Sequence, residues 1–211
     1  MSFEVAVRRR LGDTVVGAAF AAGAGLTALS GPSGAGKTAV LNMVAGLLRP
    51  DSGRIVVGGE TLFDSERGID LPPERRRLGY VFQDARLFPH RRVRANLLFG
   101  HRLAAPADRW MPVEAAIGLL GIGHLLDRWP YSLSGGEAQR VAIGRALLSG
   151  ARALLMDEPL SALDPARREE IMRMIERIRD DLGLPILYVS HDRAETARLG
   201  TTSICLGPGL S

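Results

Sequence analysis

Two kinds of hydrophobic spacing alternate along this chain. Short apolar runs at Leu26 to Ser30, Leu78 to Phe82, Ala153 to Met156 and Ile186 to Ser190 have the length of buried strands. Longer segments with helical spacing lie between them. Thr38 to Leu48 and Val141 to Leu148 predict helices. In Pro165 to Leu182, Ile171, Ile175, Ile178 and Leu182 share one helical face. Pro165 suits its first turn, Asp164 its N-cap, and Gly183 closes it. Leu87 to Leu133 reads as mostly helical, including a helix over Val113 to Leu126, and a last strand is expected at Ser203 to Leu206. Strands alternating with helices are the rhythm of a doubly wound sheet.

The N-terminus imitates an export signal. Arg8, Arg9 and Arg10 precede an uncharged stretch from Val15 to Leu29, followed by Ser30. That stretch is rich in Gly and Ala rather than Leu, and breaks at Gly23, Gly25, Gly31 and Pro32 exclude a membrane span. It reads instead as two short strands joined by a turn at Ala21 to Gly25. The expectation is a cytoplasmic protein with no transmembrane helix of its own.

Composition adds three limits. The 211 residues suit one large α/β domain or two small ones, and a single cysteine, Cys205, excludes an internal disulfide and fits a reducing compartment. The net charge of +4 comes from short clusters (Arg8 to Arg10, Arg75 to Arg77, Arg91 with Arg92) with acids between them, and only 5% of residues are aromatic. Nucleic acid is therefore not an expected partner. Lys37 is the only lysine among 27 basic side chains, which marks its position as one where guanidinium fails.

That position has a chemical context. Gly31, Pro32, Ser33, Gly34, Ala35, Gly36, Lys37 and Thr38 fit the pattern G-x-x-x-x-G-K-[ST] between a predicted strand and a predicted helix. Glycines let backbone N–H groups converge on phosphate oxygens, and the helix N-terminus adds its positive end. Lys37 can reach the β- and γ-phosphates, and the Thr38 hydroxyl suits Mg²⁺. By itself this loop implies only a nucleoside triphosphate.

Five further segments narrow the reading. They are Gln83 after Leu78 to Phe82; Leu133-Ser134-Gly135-Gly136-Glu137-Ala138-Gln139-Arg140; Asp157-Glu158-Pro159; Ser161-Ala162-Leu163-Asp164; and Ser190-His191-Asp192. In this order the set resembles the motifs of ABC-type ATPases over essentially the whole chain. The resemblance implies an α/β fold of the P-loop NTPase class: a mixed sheet core, an N-terminal antiparallel β region and a helical subdomain at about 87–140. It implies ATP as substrate and Mg²⁺ held by Thr38, Asp157 and Gln83. Asp157 ends an apolar strand, where α/β sheets bind ligands. By resemblance Glu158 is the general base, His191 the γ-phosphate sensor, and Ser134, Gly135 and Gly136 meet the nucleotide of a second copy of the chain, with Asp164 nearby. The other histidines, His90, His101 and His124, have no such context.

The run Tyr80-Val81-Phe82-Gln83-Asp84-Ala85-Arg86-Leu87-Phe88-Pro89-His90 resembles the ATP-binding subunits of molybdate importers. Its Phe88-Pro89-His90 part is shared with sugar, sulfate and phosphate importer subunits, so those remain alternatives, as do an iron importer and a soluble ABC ATPase without a transport role. The resemblance implies permease subunits, indirectly a periplasmic binding protein, and a peripheral place on the cytoplasmic face of the inner membrane. Two departures stand out. Where family members place an adenine-stacking aromatic, spacing puts Leu11. The chain stops at Ser211, so a single domain over 1–211 is expected, without the C-terminal oxyanion-binding module common in molybdate importer subunits.

Overall fold

The computed structural model describes residues 1–207; the expectation about a C-terminal module falls beyond Gly207, outside the described residues. The chain opens with a hairpin of β1 (Phe3–Leu11) and β2 (Thr14–Ala22), paired from Phe3 with Ala22 to Leu11 with Thr14. Alternation along β1 buries Phe3, Val5 and Val7 on one face. Next comes β3 (Leu26–Ser30), which belongs to a different sheet. The Ala21 to Gly25 turn therefore carries the chain from one sheet to another rather than closing a pair.

After α1 (Lys37–Ala45), the strands β4 (Ser52–Val57), β5 (Glu60–Asp64) and β6 (Ile69–Asp70) return to the first sheet, an antiparallel one of order β2-β1-β4-β5-β6. Residues 52–70 thus extend the antiparallel region well beyond the N-terminus. Then follow α2 (Pro73–Arg76), β7 (Leu78–Val81), α3 (Val93–Leu103), α4 (Val113–Leu120) and α5 (Gly135–Leu148). The rest is β8 (Ala153–Asp157), α6 (Pro165–Asp180), β9 (Ile186–Val189), α7 (Arg193–Leu199) and β10 (Thr202–Cys205). The second sheet is parallel, in the order β10-β3-β9-β8-β7.

Its two faces close two cores. On one side Leu155, Leu187 and Val189 join α1 and the inward face of the antiparallel sheet. On the other, Leu154, Met156, Ile186 and Tyr188 meet α5, α6 and the helices of residues 93–126. Period-two alternation along β8 and β9 explains the division, and burial on both faces explains their unbroken apolar runs. Because the strands are parallel, the C-terminal ends of β3, β9 and β8 meet at one edge.

Helix ends differ from the spacing-based expectations for local reasons. The helix from Val113 stops at Leu120, because Gly121 takes a left-handed φ of 62° and its N–H bonds back to Gly118. The helix from Pro165 stops at Asp180, so Leu182 reaches the core from the following turn. The helix of the phosphate loop ends at Ala45, where Gly46 is left-handed at φ 80°. A Cβ on Gly46 would lie 2.6 Å from Nε of Arg76, which is fully buried. The Arg76 guanidinium donates to the carbonyls of Met43 (2.8 Å), Val44 (2.9 Å) and Leu71 (2.7 Å) and to Asp70 (3.1 Å). It thereby satisfies the open C-terminal carbonyls of α1. Among the described residues no helix is long and apolar enough to cross a membrane.

Candidate functional site

The edge where β3, β9 and β8 end gathers most of the residues singled out in the sequence. The loop from β3 turns into α1 at Gly36, which has φ 83° and offers no side-chain cap. A Cβ there would lie 2.2 Å from a methyl carbon of Val16 on β2, so only glycine fits. Lys37 folds back over the loop, its ammonium donating to the carbonyls of Gly31 (2.8 Å) and Pro32 (2.9 Å). The Thr38 hydroxyl donates to Oδ1 of Asp157 at 2.9 Å.

Asp157 is buried at the end of β8. Burial pushes its carboxyl above the ordinary carboxylate range; the neighbouring Glu158 charge adds to the rise, and the Thr38 hydrogen bond opposes it. Its second oxygen lies 3.4 Å from the hydroxyl of Tyr80, which is also 2.9 Å from Oδ1 of Asn42. Neither Tyr80 nor Asn42 was expected at the site. Register across β7 and β8 brings Tyr80 there, and no local sequence pattern announces it.

Glu158 holds a left-handed φ of 45°, uncommon for a residue with a side chain. The strain is fixed from both sides. Its N–H donates to the carbonyl of Val189 (2.9 Å), while the Ser161 hydroxyl donates to its carbonyl (3.0 Å). The carboxylate that results points to His191, with Oε2 3.0 Å from Nδ1. An ionised carboxylate only accepts, so Nδ1 carries the proton in this pair. The loop of Gly31 to Ser33 and the turn of Ser190 to Arg193 line one cavity of about 640 Å³.

The remaining candidates lie elsewhere. Ser134 caps α5, accepting from the N–H of Glu137 (3.4 Å), while Glu137 accepts from the N–H of Ser134 (2.7 Å). Ser134 and Gly136 line a separate cavity of about 240 Å³ that shares no residue with the first. Asp164 caps α6 by accepting from the N–H of Arg167 at 3.0 Å. Gln83 is exposed, and its side chain makes no hydrogen bond among the described residues. The backbone on both sides of it is held by α5: Gln139 donates to the carbonyl of Phe82 (3.3 Å) before it, and Arg145 to those of Ala85 (3.0 Å) and Arg86 (2.8 Å) after it. Leu11 is 40% exposed at the tip of the first hairpin.

A family model described as ABC transporter matches residues 20–161. The chain belongs to the ABC transporter family. It is 57% identical over 209 residues to the molybdenum import ATP-binding protein ModC of Brucella abortus (strain 2308), the match covering 97% of this chain and 57% of that protein. The ModC protein of Rhizobium meliloti (strain 1021) is 54% identical, with 99% of this chain and 58% of that protein covered. The chain thus spans a little over half the length of the curated relatives it matches. Among solved structures, the dimeric bacterial ABC transporter cassette MJ0796 superposes with a TM-score of 0.78 at 25% identity, covering 98% of this chain and 94% of that one. An ABC transporter component from Clostridium perfringens, cbiO1, superposes at 0.75 with 30% identity, covering 90% and 78%. The fold is that of an ABC cassette.

Proposed function

We propose that this chain is the ATP-hydrolysing subunit of an importer and that the imported anion is molybdate. The observation that carries hydrolysis is the Glu158–His191 pair, 3.0 Å apart beside the phosphate loop. ATP phosphates lie on the open N–H groups at the start of α1. The Lys37 ammonium exchanges its two loop carbonyls for phosphate oxygens and bridges the β- and γ-groups. Glu158 accepts a proton from the attacking water, and His191 donates to the γ-phosphate from Nε2 when that nitrogen is also protonated.

The donor set fits Mg²⁺. Asp157 and Thr38 offer hard oxygens at one point, and among the described residues no three His, Cys, Asp or Glu side chains cluster as a complete metal cage. Such a partial set suits a cation that takes its other ligands from phosphate and water. When bound, Mg²⁺ neutralises charge on the β- and γ-oxygens. Asp157 must then ionise against its burial, and Tyr80 steadies it.

Ser134 and Gly136, which by resemblance meet the nucleotide of a second copy, line a cavity apart from the phosphate loop, which supports a head-to-tail dimer with two composite sites. MJ0796, a similar cassette, is itself dimeric, with a post-hydrolysis state bound to ADP and phosphate. Permease subunits, an extracytoplasmic binding protein and a place on the cytoplasmic face of the membrane complete the reading. Identity to the two ModC proteins supports molybdate. Two experiments test the proposal. ATP hydrolysis by the chain assembled with its permease is expected to rise when molybdate loads the binding protein; a rise with sulfate and none with molybdate overturns the substrate. Glu158→Gln is expected to trap an ATP-bound dimer on gel filtration; rapid continued turnover rejects Glu158 as base.

A further inference from the structure

The His191 side chain is 65% exposed, and among the described residues its one hydrogen bond is to Glu158. One exposed contact does not fix an imidazole, so its direction is set by the backbone turn that bears it. A buried polar network lies under that turn. Glu195 on α7 is only 4% exposed. Its Oε2 accepts from the hydroxyls of Tyr188 (2.9 Å) and Ser190 (2.8 Å), both buried. The Ser190 hydroxyl in turn accepts from the N–H of Asp192 at 3.0 Å, closing the turn around His191. Asp192 caps α7 through the N–H groups of Ala194 and Glu195.

The network has one cation. Arg168 donates to Oδ2 of Asp192 at 3.0 Å, and its Nε lies 3.6 Å from Oε1 of Glu195. Arg168 sits in the first turn of α6, its N–H bonded to the carbonyl of Asp164. A buried carboxylate with two hydroxyl donors and a guanidinium is costly to assemble and rigid once assembled.

We infer that Glu195 is a positioning residue for His191, and that Arg168 ties the His191 turn to the helix that starts at Asp164. The inference rests on the proposed role of His191 in hydrolysis. A movement of the Asp164 loop is thereby carried through the first turn of α6 to the imidazole. Glu195→Gln isolates the link: the carbonyl can still accept from both hydroxyls, while its amide sets a donor against the Arg168 guanidinium.

The experiment pairs kinetics with imidazole spectroscopy. The chain has only four histidines, so long-range ¹⁵N–¹H spectra resolve His191, assigned by its loss in His191→Ala. The unsubstituted chain is expected to show the Nδ1–H tautomer that the Glu158 contact requires. Glu195→Gln is expected to lose that tautomer preference and to lower kcat about tenfold, with the KM for ATP within about twofold. Arg168→Gln, on a partly exposed side chain, is the second variant if Glu195→Gln folds poorly, with the same spectral change expected. An unchanged His191 tautomer in the folded variants overturns the inference while leaving the hydrolysis reading in place. Unimpaired turnover by His191→Ala overturns both together.

Discussion

Helices α1 and α5 both begin on glycine-rich turns, yet they close their N-termini in opposite ways. Gly36 at the start of α1 is left-handed, supplies no capping side chain, and is followed by no acid in the first turn. Ser134 at the start of α5 is extended and builds a reciprocal capping box with Glu137. Every helix leaves its first N–H groups without partners. α1 leaves that deficit open for an outside anion, at a cost in stability. α5 meets part of it internally through its capping box. The difference teaches that one end is built around its ligand, whereas the other has to surrender a bond of 3.4 Å to engage one.

Breaking the open end should do the most damage. Lys37→Arg keeps the charge but replaces a compact ammonium with a broad planar fork. We expect kcat/KM for ATP to fall about 100-fold. Near-normal hydrolysis would show that the loop does not need the ammonium shape. Ser134→Ala probes the closed end. We expect turnover to fall about tenfold and stability by about 1 kcal/mol on thermal unfolding, with single-chain nucleotide affinity unchanged. A parallel loss of that affinity would erase the proposed division between the two ends.

Smaller effects sharpen the contrast. Leu11→Tyr offers a ring where family members stack adenine. It should tighten ATP binding by about 1 kcal/mol in fluorescence titration, roughly fivefold. No change would remove position 11 from the base contact. The weakest expected effect is a pH dependence of the cap. The backbone N–H of Ser134 holds the Glu137 carboxyl below its ordinary value. A depressed folded pKa gives stability above the ordinary glutamate value of about 4.3, lost as pH falls through the lowered one. The difference in Tm between the unsubstituted chain and Glu137→Gln should therefore be full at neutral pH and vanish in acid. A difference that persists in acid would mean the charge is not its source.

The sequence makes the phosphate loop, Asp157, Glu158 and His191 legible for one physical reason: each lies at the end of a short apolar strand, and a parallel sheet gathers such ends at one edge. What lies between strands was not legible. Tyr80 reaches Asp157 through the register of β7 against β8, Glu195 reaches Ser190 through the packing of α7, and Arg145 reaches the turn after Gln83 from a separate helix. Helix limits failed where conformation overrode spacing. Leu182 keeps the helical period of Ile171, Ile175 and Ile178, yet the helix has already ended at Asp180. The Ala21 to Gly25 turn joins two strands as expected, but turn residues do not reveal that the second strand belongs to a different sheet.

Buried Arg76 also shapes the electric field along α1. An isolated helix ends in a negative pole, which would partly cancel the attraction its other end exerts on an anion. Here a guanidinium sits on the carbonyls of Met43 and Val44 and quenches that pole. At 1.5 Å per residue, its positive charge lies only about 15 Å behind the phosphate loop, in a medium that screens far less than water. Asp70, at the outer edge of the group, offsets part of that charge. With that pole quenched, the open N-terminus of α1 keeps its pull on a nucleotide's phosphates undiminished by its own far end.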